Sequence, residues 1–308
     1  MSRERPGSAG NARYGVIDVG SNTIHLLVGE VDGGSVVPVT GEKVSARLGS
    51  GVEKRGRIES GRLGVGASAI EMFSRISALN GAPEPAVLAT SAVRDAENGP
   101  ELGERVRNST GLGMRLISGE EEAALGFRGA GSAVGASWSG PALVVDLGGG
   151  SAQLIVGEAS TGPLMQVSLP LGTNRTTERF VSHDPAKKKE LRALDEHVGE
   201  IMPGWSLAEQ VPVVAVGGSA RAVLKITQEP LTVERLRRLA KEITAQPSAV
   251  LARQYGLAPE RAKVMPAAVT TLAAIMDHFG KEELTVARGG VREGAILSLA
   301  EDASVGEG

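Results

Sequence analysis

Residues 144–157 read VVDLGGGSAQLIVG, and residues 16–29, near the start of the chain, read VIDVGSNTIHLLVG. Each stretch is an apolar run, then Asp-x-Gly, then small residues, then a second apolar run that ends at Gly. Two apolar runs joined by a tight Gly-rich turn are typical of a β-hairpin. A chain that carries this hairpin twice is predicted to form two similar lobes that face each other across a cleft.

The chemistry of the repeated turn indicates phosphate binding. Glycines without a Cβ let a ligand touch the backbone, and a run of free N–H groups forms a concavity that binds anions. Asp18 and Asp146 end the first strand of each hairpin, beside that concavity. A carboxylate repels phosphate unless a cation or an attacking water lies between them, so the pattern favours metal-assisted phosphate chemistry. The alternative is that each Asp only caps its own turn.

Composition sets the class of protein. The 308 residues suffice for one large domain or two ordinary ones, and strands alternate with helices along the chain, which predicts an α/β fold. A net charge of −3 argues against a general nucleic-acid coat protein, and the absence of Cys excludes disulfides and thiolate metal sites. A polar start without an apolar signal and the lack of long apolar runs lead us to expect the cytoplasm and no membrane contact. Residues 1–12 and 301–308 are predicted to be disordered tails.

Two further local patterns come from the second half of the chain. A strand runs into Gly217-Gly218 at the start of a helix, which by itself is a weak phosphate-binding signal. Asp184-Pro185 is predicted to start a helix that runs to about His197, with Asp184 as its N-cap. His25 is interpreted as a hydrogen-bonded strand histidine rather than a ligand.

Several blocks in order now carry a family resemblance: VIDVGSNTIHLLV, ATSAVRDAEN, ISGEEEA, VVDLGGGSAQLIVG, LPLG, AVGGSARAV and GGVREGAI. The chain resembles the exopolyphosphatase and guanosine-pentaphosphate phosphatase (Ppx/GppA) family over residues 14–299, in its short form. That family belongs to the superfamily of acetate and sugar kinases, Hsp70 and actin. The resemblance implies two ribonuclease-H-like (actin-like ATPase) lobes with an interlobe cleft. We expect residues 13–127 to form the N-terminal lobe and 128–290 the C-terminal lobe, and helix 291–300 could pack back onto the first.

The resemblance also implies roles for single residues. It assigns Glu122 as the catalytic base, with Arg94 on the phosphate being removed and Asp146 as a third catalytic residue. Mg²⁺ is the implied cofactor, with Asp18, Asp146 and, more weakly, Gln153 as its ligands. The implied phosphate-binding residues are Asp18, Gly20, Ser21, Asn22, Gly148, Gly149, Gly150, Ser151, Gly217 and Gly218.

One departure from the family pattern bears on activity. The family usually has Glu at the position of Gln153, so a carboxylate expected near the metal is here an amide. The leading hypothesis is metal-dependent removal of the terminal phosphate of inorganic polyphosphate. The alternatives are hydrolysis of guanosine pentaphosphate and, in another class, a non-catalytic sensor of polyphosphate or guanosine tetraphosphate. Homodimers are common in the family, which raises a second copy of the chain as a partner.

Overall fold

The computed structural model describes residues 12–135, 138, 140–228 and 230–306. Its first half is built on a mixed sheet of five strands, in the order β3-β2-β1-β4-β5. The strands are β1 (Arg13–Val19), β2 (Ile24–Asp32), β3 (Ser35–Val44), β4 (Ala86–Ala89) and β5 (Met114–Leu116). The helices of this half are α1 (Val52–Arg55), α2 (Ser60–Leu79), α3 (Ser91–Arg94), α4 (Gly99–Thr110) and α5 (Gly119–Val134).

The second half is built on a sheet of six strands, in the order β10-β11-β9-β6-β7-β8. The strands are β6 (Ala142–Leu147), β7 (Ala152–Glu158), β8 (Gly162–Leu169), β9 (Val213–Val216), β10 (Leu231–Thr232) and β11 (Glu283–Val286). The helices are α6 (Thr173–Phe180), α7 (Lys188–Ile201), α8 (Gly217–Thr227), α9 (Val233–Ile243), α10 (Ser248–Tyr255), α11 (Pro259–His278) and α12 (Val291–Gly306).

The two sheets repeat one topology. In the first, β1 pairs antiparallel with β2 and parallel with β4, and in the second, β6 pairs antiparallel with β7 and parallel with β9. The registers match as well, because Asp18 lies opposite His25 and Asp146 lies opposite Gln153. The predicted hairpins and the two-lobe α/β fold are therefore confirmed.

Helix α5 lies between the two sheets. Its Ala123, Phe127 and Ala130 pack with buried residues of β6, β7 and β9, while Leu125 packs with β1, β2 and the start of α12. Gly129 on α5 and Gly294 on α12 let these two helices pack closely, since a Cβ would collide with the backbone of Gly290 or of Leu125, respectively. The predicted lobe boundary between residues 127 and 128 thus falls inside a helix that contacts both sheets.

The outer faces of the sheets carry the two main cores. One core joins the first sheet to α2 and α4, and the larger one joins the second sheet to the helices that follow it. Helix α11 is buried along nearly its whole length, so its Ala- and Thr-rich sequence suits close packing against neighbouring helices. Among the described residues, no helix is both long and apolar enough to cross a bilayer.

Asp184 does not cap the helix predicted to follow it. That helix, α7, begins at Lys188, and the backbone N of Lys187 before it donates to Glu190 Oε2 at 2.8 Å. Asp184 instead accepts hydrogen bonds from the backbone N of Ser248 at 2.7 Å and its Oγ at 2.6 Å. It therefore caps α10, a partner 64 residues away that sequence spacing could not indicate.

The predicted disorder at the two ends of the chain can be checked only in part. Residues 301–306 continue α12, so the disordered C-terminal tail is wrong for them. Ser298 and Glu301 on this helix both accept hydrogen bonds from Arg128 on α5. Residues 1–11 and 307–308 lie outside the described residues.

Candidate active site

The two Gly-rich turns have the same internal hydrogen bond. The amide of Gly20 donates to the carbonyl of Thr23 at 3.2 Å, and that of Gly148 donates to the carbonyl of Ser151 at 3.0 Å. We call residues 20–23 the first loop and residues 148–151 the second loop. Each bond turns the chain at the end of a strand, so the intervening residues project from the edge of the sheet.

The two loops touch each other. A Cβ on Gly149 would lie 3.1 Å from the Cβ of Ser21, and a Cβ on Gly150 would lie 2.5 Å from Ser21 Oγ. Gly172, which precedes α6, is equally constrained, since a Cβ there would collide with the backbone of Gly150. A Cβ would thus crowd side chains of the first loop at Gly149 and Gly150, and backbone of the second loop at Gly172, so glycine suits all three positions.

A cavity of about 520 Å³ opens beside the loops, between the two sheets. It is lined by most of the predicted site residues: Asp18, Gly20, Ser21, Asn22, Glu122, Asp146, Gly148, Gly149, Ser151, Gln153, Gly217 and Gly218. Gly150 lies outside this wall, against the hydroxyls of Ser21 and Ser91. Arg94 is also absent from the wall but lies next to Glu122. The fold therefore brings the predicted residues together, while their individual roles stay predictions.

The loops present unused backbone donors. Within the described part of the chain, the amides of Ser21, Asn22 and Gly149 have no hydrogen-bond acceptor. Amides at a turn that lines a cavity can accept an anion without rearrangement, because their alternative partner is water. This is the backbone arrangement expected of a phosphate site.

Asp18 and Asp146 lie next to the ends of β1 and β6, the first strands of the two hairpins, and face the same cavity. Burial raises the pKa of each to about 6, and their mutual repulsion adds to the shift at Asp18, while Arg292 opposes it. Neither carboxylate accepts a hydrogen bond from any described residue. Two desolvated carboxylates without donors favour a cation or an ordered water as their partner.

Glu122 lies in the first turn of α5. It is 9% exposed, and its Oε2 has no hydrogen-bond partner among the described residues. Arg94 Nη1 is 3.5 Å from that oxygen and donates instead to the carbonyl of Ile117 at 2.7 Å. Burial, reinforced by Asp146, raises the pKa of Glu122 to about 8 despite the neighbouring Arg94. A raised carboxyl pKa near neutrality suits a general base.

The two acidic residues before Glu122 on α5 lie outside the cavity. Glu121 forms an ion pair with Arg115 at the surface, and its backbone N donates to the N-cap hydroxyl, Ser118 Oγ, at 3.1 Å. Neither Glu120 nor Glu121 lines the cavity. Only Glu122 of the three faces the site, which the helical spacing alone could not establish.

A divalent cation fits the acidic residues in this cavity. Mg²⁺ in proteins is typically held by one or two carboxylates plus waters and substrate oxygens, and Asp18 and Asp146 supply two such carboxylates. No group of three or more Asp, Glu or His side chains close enough to hold a metal occurs in the described ranges. Gln153 is buried, and its amide nitrogen donates to Ser151 Oγ at 2.9 Å and Ser168 Oγ at 3.0 Å.

Gly217 and Gly218 each avoid a clash with a charged side chain. Gly217 has a φ of +90°, and a Cβ there would lie 2.6 Å from Asp146 Oδ1. A Cβ on Gly218 would lie 2.9 Å from Arg261 Nη2. The Gly-Gly pair at the start of α8 therefore makes room for Asp146 and Arg261, a reason that the sequence did not reveal.

Several cations in the cavity were not predicted from the sequence. They are Arg221, Lys225, Arg261 and Arg292. Burial, followed by repulsion from other arginines, lowers the pKa of Arg221 and of Arg261. Arg221 and Arg292 occur within the blocks AVGGSARAV and GGVREGAI, which could have drawn attention to them.

His25 lies in a strand, β2, as predicted, but the hydrogen bond expected of it is wrong. His25 lines the cavity and has no hydrogen-bond partner among the described residues. Burial, with the nearby arginines and Lys43, lowers its pKa to about 3, so the imidazole is neutral. Its place opposite Asp18 corresponds to that of Gln153 opposite Asp146.

Comparison with known proteins identifies the family to which the chain is similar. A model of the Ppx/GppA phosphatase family matches residues 27–303. Exopolyphosphatase 1 of Mycobacterium tuberculosis is 32% identical over 305 residues, covering 92% of this chain and 87% of its own length. The protein of the same name from Mycobacterium leprae is 31% identical over 303 residues, covering 92% and 88%.

Solved structures show the same fold. An exopolyphosphatase from Cytophaga hutchinsonii superposes with a TM-score of 0.84 at 23% identity, covering 94% of this chain and 98% of that chain. The Aquifex aeolicus member of the Ppx/GppA family superposes with a TM-score of 0.77 at 23% identity, with coverages of 94% and 98%. These similarities support the two-lobe, actin-like fold.

Proposed function

The chain belongs to the Ppx/GppA phosphatase family, and from this premise we propose that it is a metal-dependent exopolyphosphatase that removes the terminal phosphate of inorganic polyphosphate. The observation that carries the proposal is the juxtaposition of unpaired loop amides, two half-buried aspartates and the desolvated Glu122 around one cavity. The names of the curated relatives favour polyphosphate as the substrate class.

Each group has a distinct part in the proposed reaction. The amides of Ser21, Asn22 and Gly149 bind phosphate oxygens, and Arg94 neutralises charge on the terminal phosphate. Glu122 accepts a proton from the attacking water at Oε2, the carboxylate oxygen that has no hydrogen-bond partner among the described residues. Mg²⁺ held by Asp18 and Asp146 would supply charge neutralisation to the bound phosphates.

The cations of the cavity suit a polyanion. Neither Arg221 nor Arg261 has a carboxylate within ion-pair distance in the described ranges, and Arg261 bonds only to Ser219 Oγ, at 3.1 Å. Partly buried arginines without counterions are destabilising, so an anionic ligand would compensate them. A chain of phosphates that extends from the glycine loops would provide this negative charge.

The decisive experiment measures phosphate release from polyphosphate and from guanosine pentaphosphate, each with and without Mg²⁺. We expect Mg²⁺-dependent release from polyphosphate. Phosphate release from guanosine pentaphosphate but not from polyphosphate would identify guanosine pentaphosphate as the substrate. Binding of polyphosphate without hydrolysis of either compound would support the sensor hypothesis.

Glu122→Gln tests the proposed base. It should lower turnover by about 10²- to 10⁴-fold without loss of stability, because the charged form of Glu122 is disfavoured by burial. Glu121→Gln is the matched control, since it changes the adjacent residue outside the cavity. A Glu122→Gln enzyme that keeps more than half of the wild-type rate excludes this role.

A further inference from the structure

Arg175 lies beneath the second loop. It belongs to α6, and its Nε donates to the carbonyl of Gly150 at 2.8 Å. Its side chain is only 21% exposed. One edge of the guanidinium is thus fixed to a loop that is expected to hold phosphate.

The other two nitrogens of Arg175 reach the N-terminal lobe. Nη1 is 2.6 Å from Glu53 Oε2, on α1, and Nη2 pairs with Asp95, the residue after Arg94. A guanidinium carries five donors in one plane, so it can bond three acceptors at once, whereas a Lys ammonium on its flexible stem has no such fork. Arg175 therefore links the carbonyl of Gly150, in the second loop, to two carboxylates of the N-terminal lobe.

A second contact lies one turn further along α6. The amide of Gly51, which precedes α1, donates to Glu178 Oε1 at 2.7 Å. Arg175 and Glu178 lie three residues apart, so they share a helix face that meets the first lobe. Because the two loops touch, the separation of the lobes on this face sets the relative position of the loops.

The charges explain what Arg175 prevents. Glu53 and Asp95 belong to the same lobe and share Arg175 as a counterion, so its removal would leave two carboxylates that repel each other on the N-terminal side of the cleft. Asp95 Oδ1 is also 4.0 Å from Arg94 Nε, so an unpaired Asp95 would compete with Glu122 for that arginine. Loss of Arg175 would disturb both the cleft and the side chain expected to bind the terminal phosphate.

We propose that Arg175 is a positioning residue that holds the second loop in register with Arg94 and the first loop. The proposal rests on the proposed function for its kinetic consequence, but its structural consequence is independent. Arg175 touches no reacting atom in this scheme and acts through Gly150 and Asp95.

Kinetics with short polyphosphate gives the first test. Arg175→Met should lower kcat by on the order of tenfold to a hundredfold, because displacement of catalytic groups by about 1 Å has effects of this size. Arg175→Lys should lie between Met and wild type. Arg179→Met, on the same helix but stacked on Phe180, is the control and should keep the wild-type kcat. Adding Glu53→Gln and Asp95→Asn to Arg175→Met should recover part of the loss, because it removes the repulsion.

Hydrogen exchange gives a test that does not need turnover. Arg175→Met should speed exchange at residues 49–52 and 148–151, while the control variant should not. If the wild type hydrolyses no polyphosphate, the proposed function fails, and exchange alone decides the role of Arg175. Unchanged exchange in folded Arg175→Met, or a kcat within twofold of wild type, overturns the proposal.

Discussion

Gly217→Ala tests whether the position of Asp146 controls activity, independently of any loss of folding stability. Gly217 is the first residue of α8, with a φ of +90°, and its missing side chain leaves space for Asp146 Oδ1. A Cβ would lie 2.6 Å from this oxygen, whereas ordinary contact begins at 3.4 Å. The carboxylate would therefore have to retreat by about 0.8 Å from its place in the cavity.

The expected magnitude has two parts. An L-residue in the left-handed region costs about 1–2 kcal/mol, so the free energy of unfolding should fall by this amount. Displacement of Asp146 by nearly 1 Å should in addition lower kcat/KM by on the order of 10²-fold. The Mg²⁺ concentration needed for half-maximal activity should rise if Asp146 holds the cation.

Gly162→Ala is the matched control. Gly162 has a φ of +86°, close to that of Gly217, but a Cβ there would meet no atom within 4 Å. Both variants should lose similar stability in urea unfolding, and only Gly217→Ala should lose phosphate release. Equal activities in the two variants would refute the argument that Gly217 makes room for Asp146.

Three other predictions concern single carboxyl or amide groups. Gln153→Glu should lower the Mg²⁺ concentration for half-maximal activity by about tenfold, or roughly 1.4 kcal/mol, and an unchanged Mg²⁺ dependence would place residue 153 outside the metal's coordination sphere. Hydrolysis should rise with pH through the pKa of Glu122, about 8 in this structure, because only the ionised carboxylate accepts a proton; a rise centred near pH 4.5 would contradict its burial as the controlling factor. Burial alone would raise the pKa of Glu190, but hydrogen bonds from Ser182, His183 and Lys187 outweigh it and lower the pKa to about 2. This stabilisation is present above the unfolded pKa and is lost as pH falls toward 2, so Glu190→Gln should destabilise the protein at pH 7 by roughly 2–3 kcal/mol and flatten the acid limb of the stability curve.

The sequence by itself determined the repeated architecture. Strand, Asp-x-Gly turn and strand are local patterns, since alternation, turn chemistry and apolar runs act over a few residues. The order of blocks indicated which residues would share a cavity, and the fold brings nearly all of them to one wall. Gln153 could also be recognised as a departure, because it follows the second Gly-rich loop where the family pattern usually has Glu.

Only the tertiary structure decided the contacts between distant segments. Asp184 caps a helix 64 residues away, and Arg175 reaches Glu53 and Asp95 across the cleft. Ion pairs and caps of this kind depend on how the two sheets pack around α5, and no local spacing records that geometry. The desolvation that raises the pKa of Glu122 is likewise a property of burial in the assembled fold.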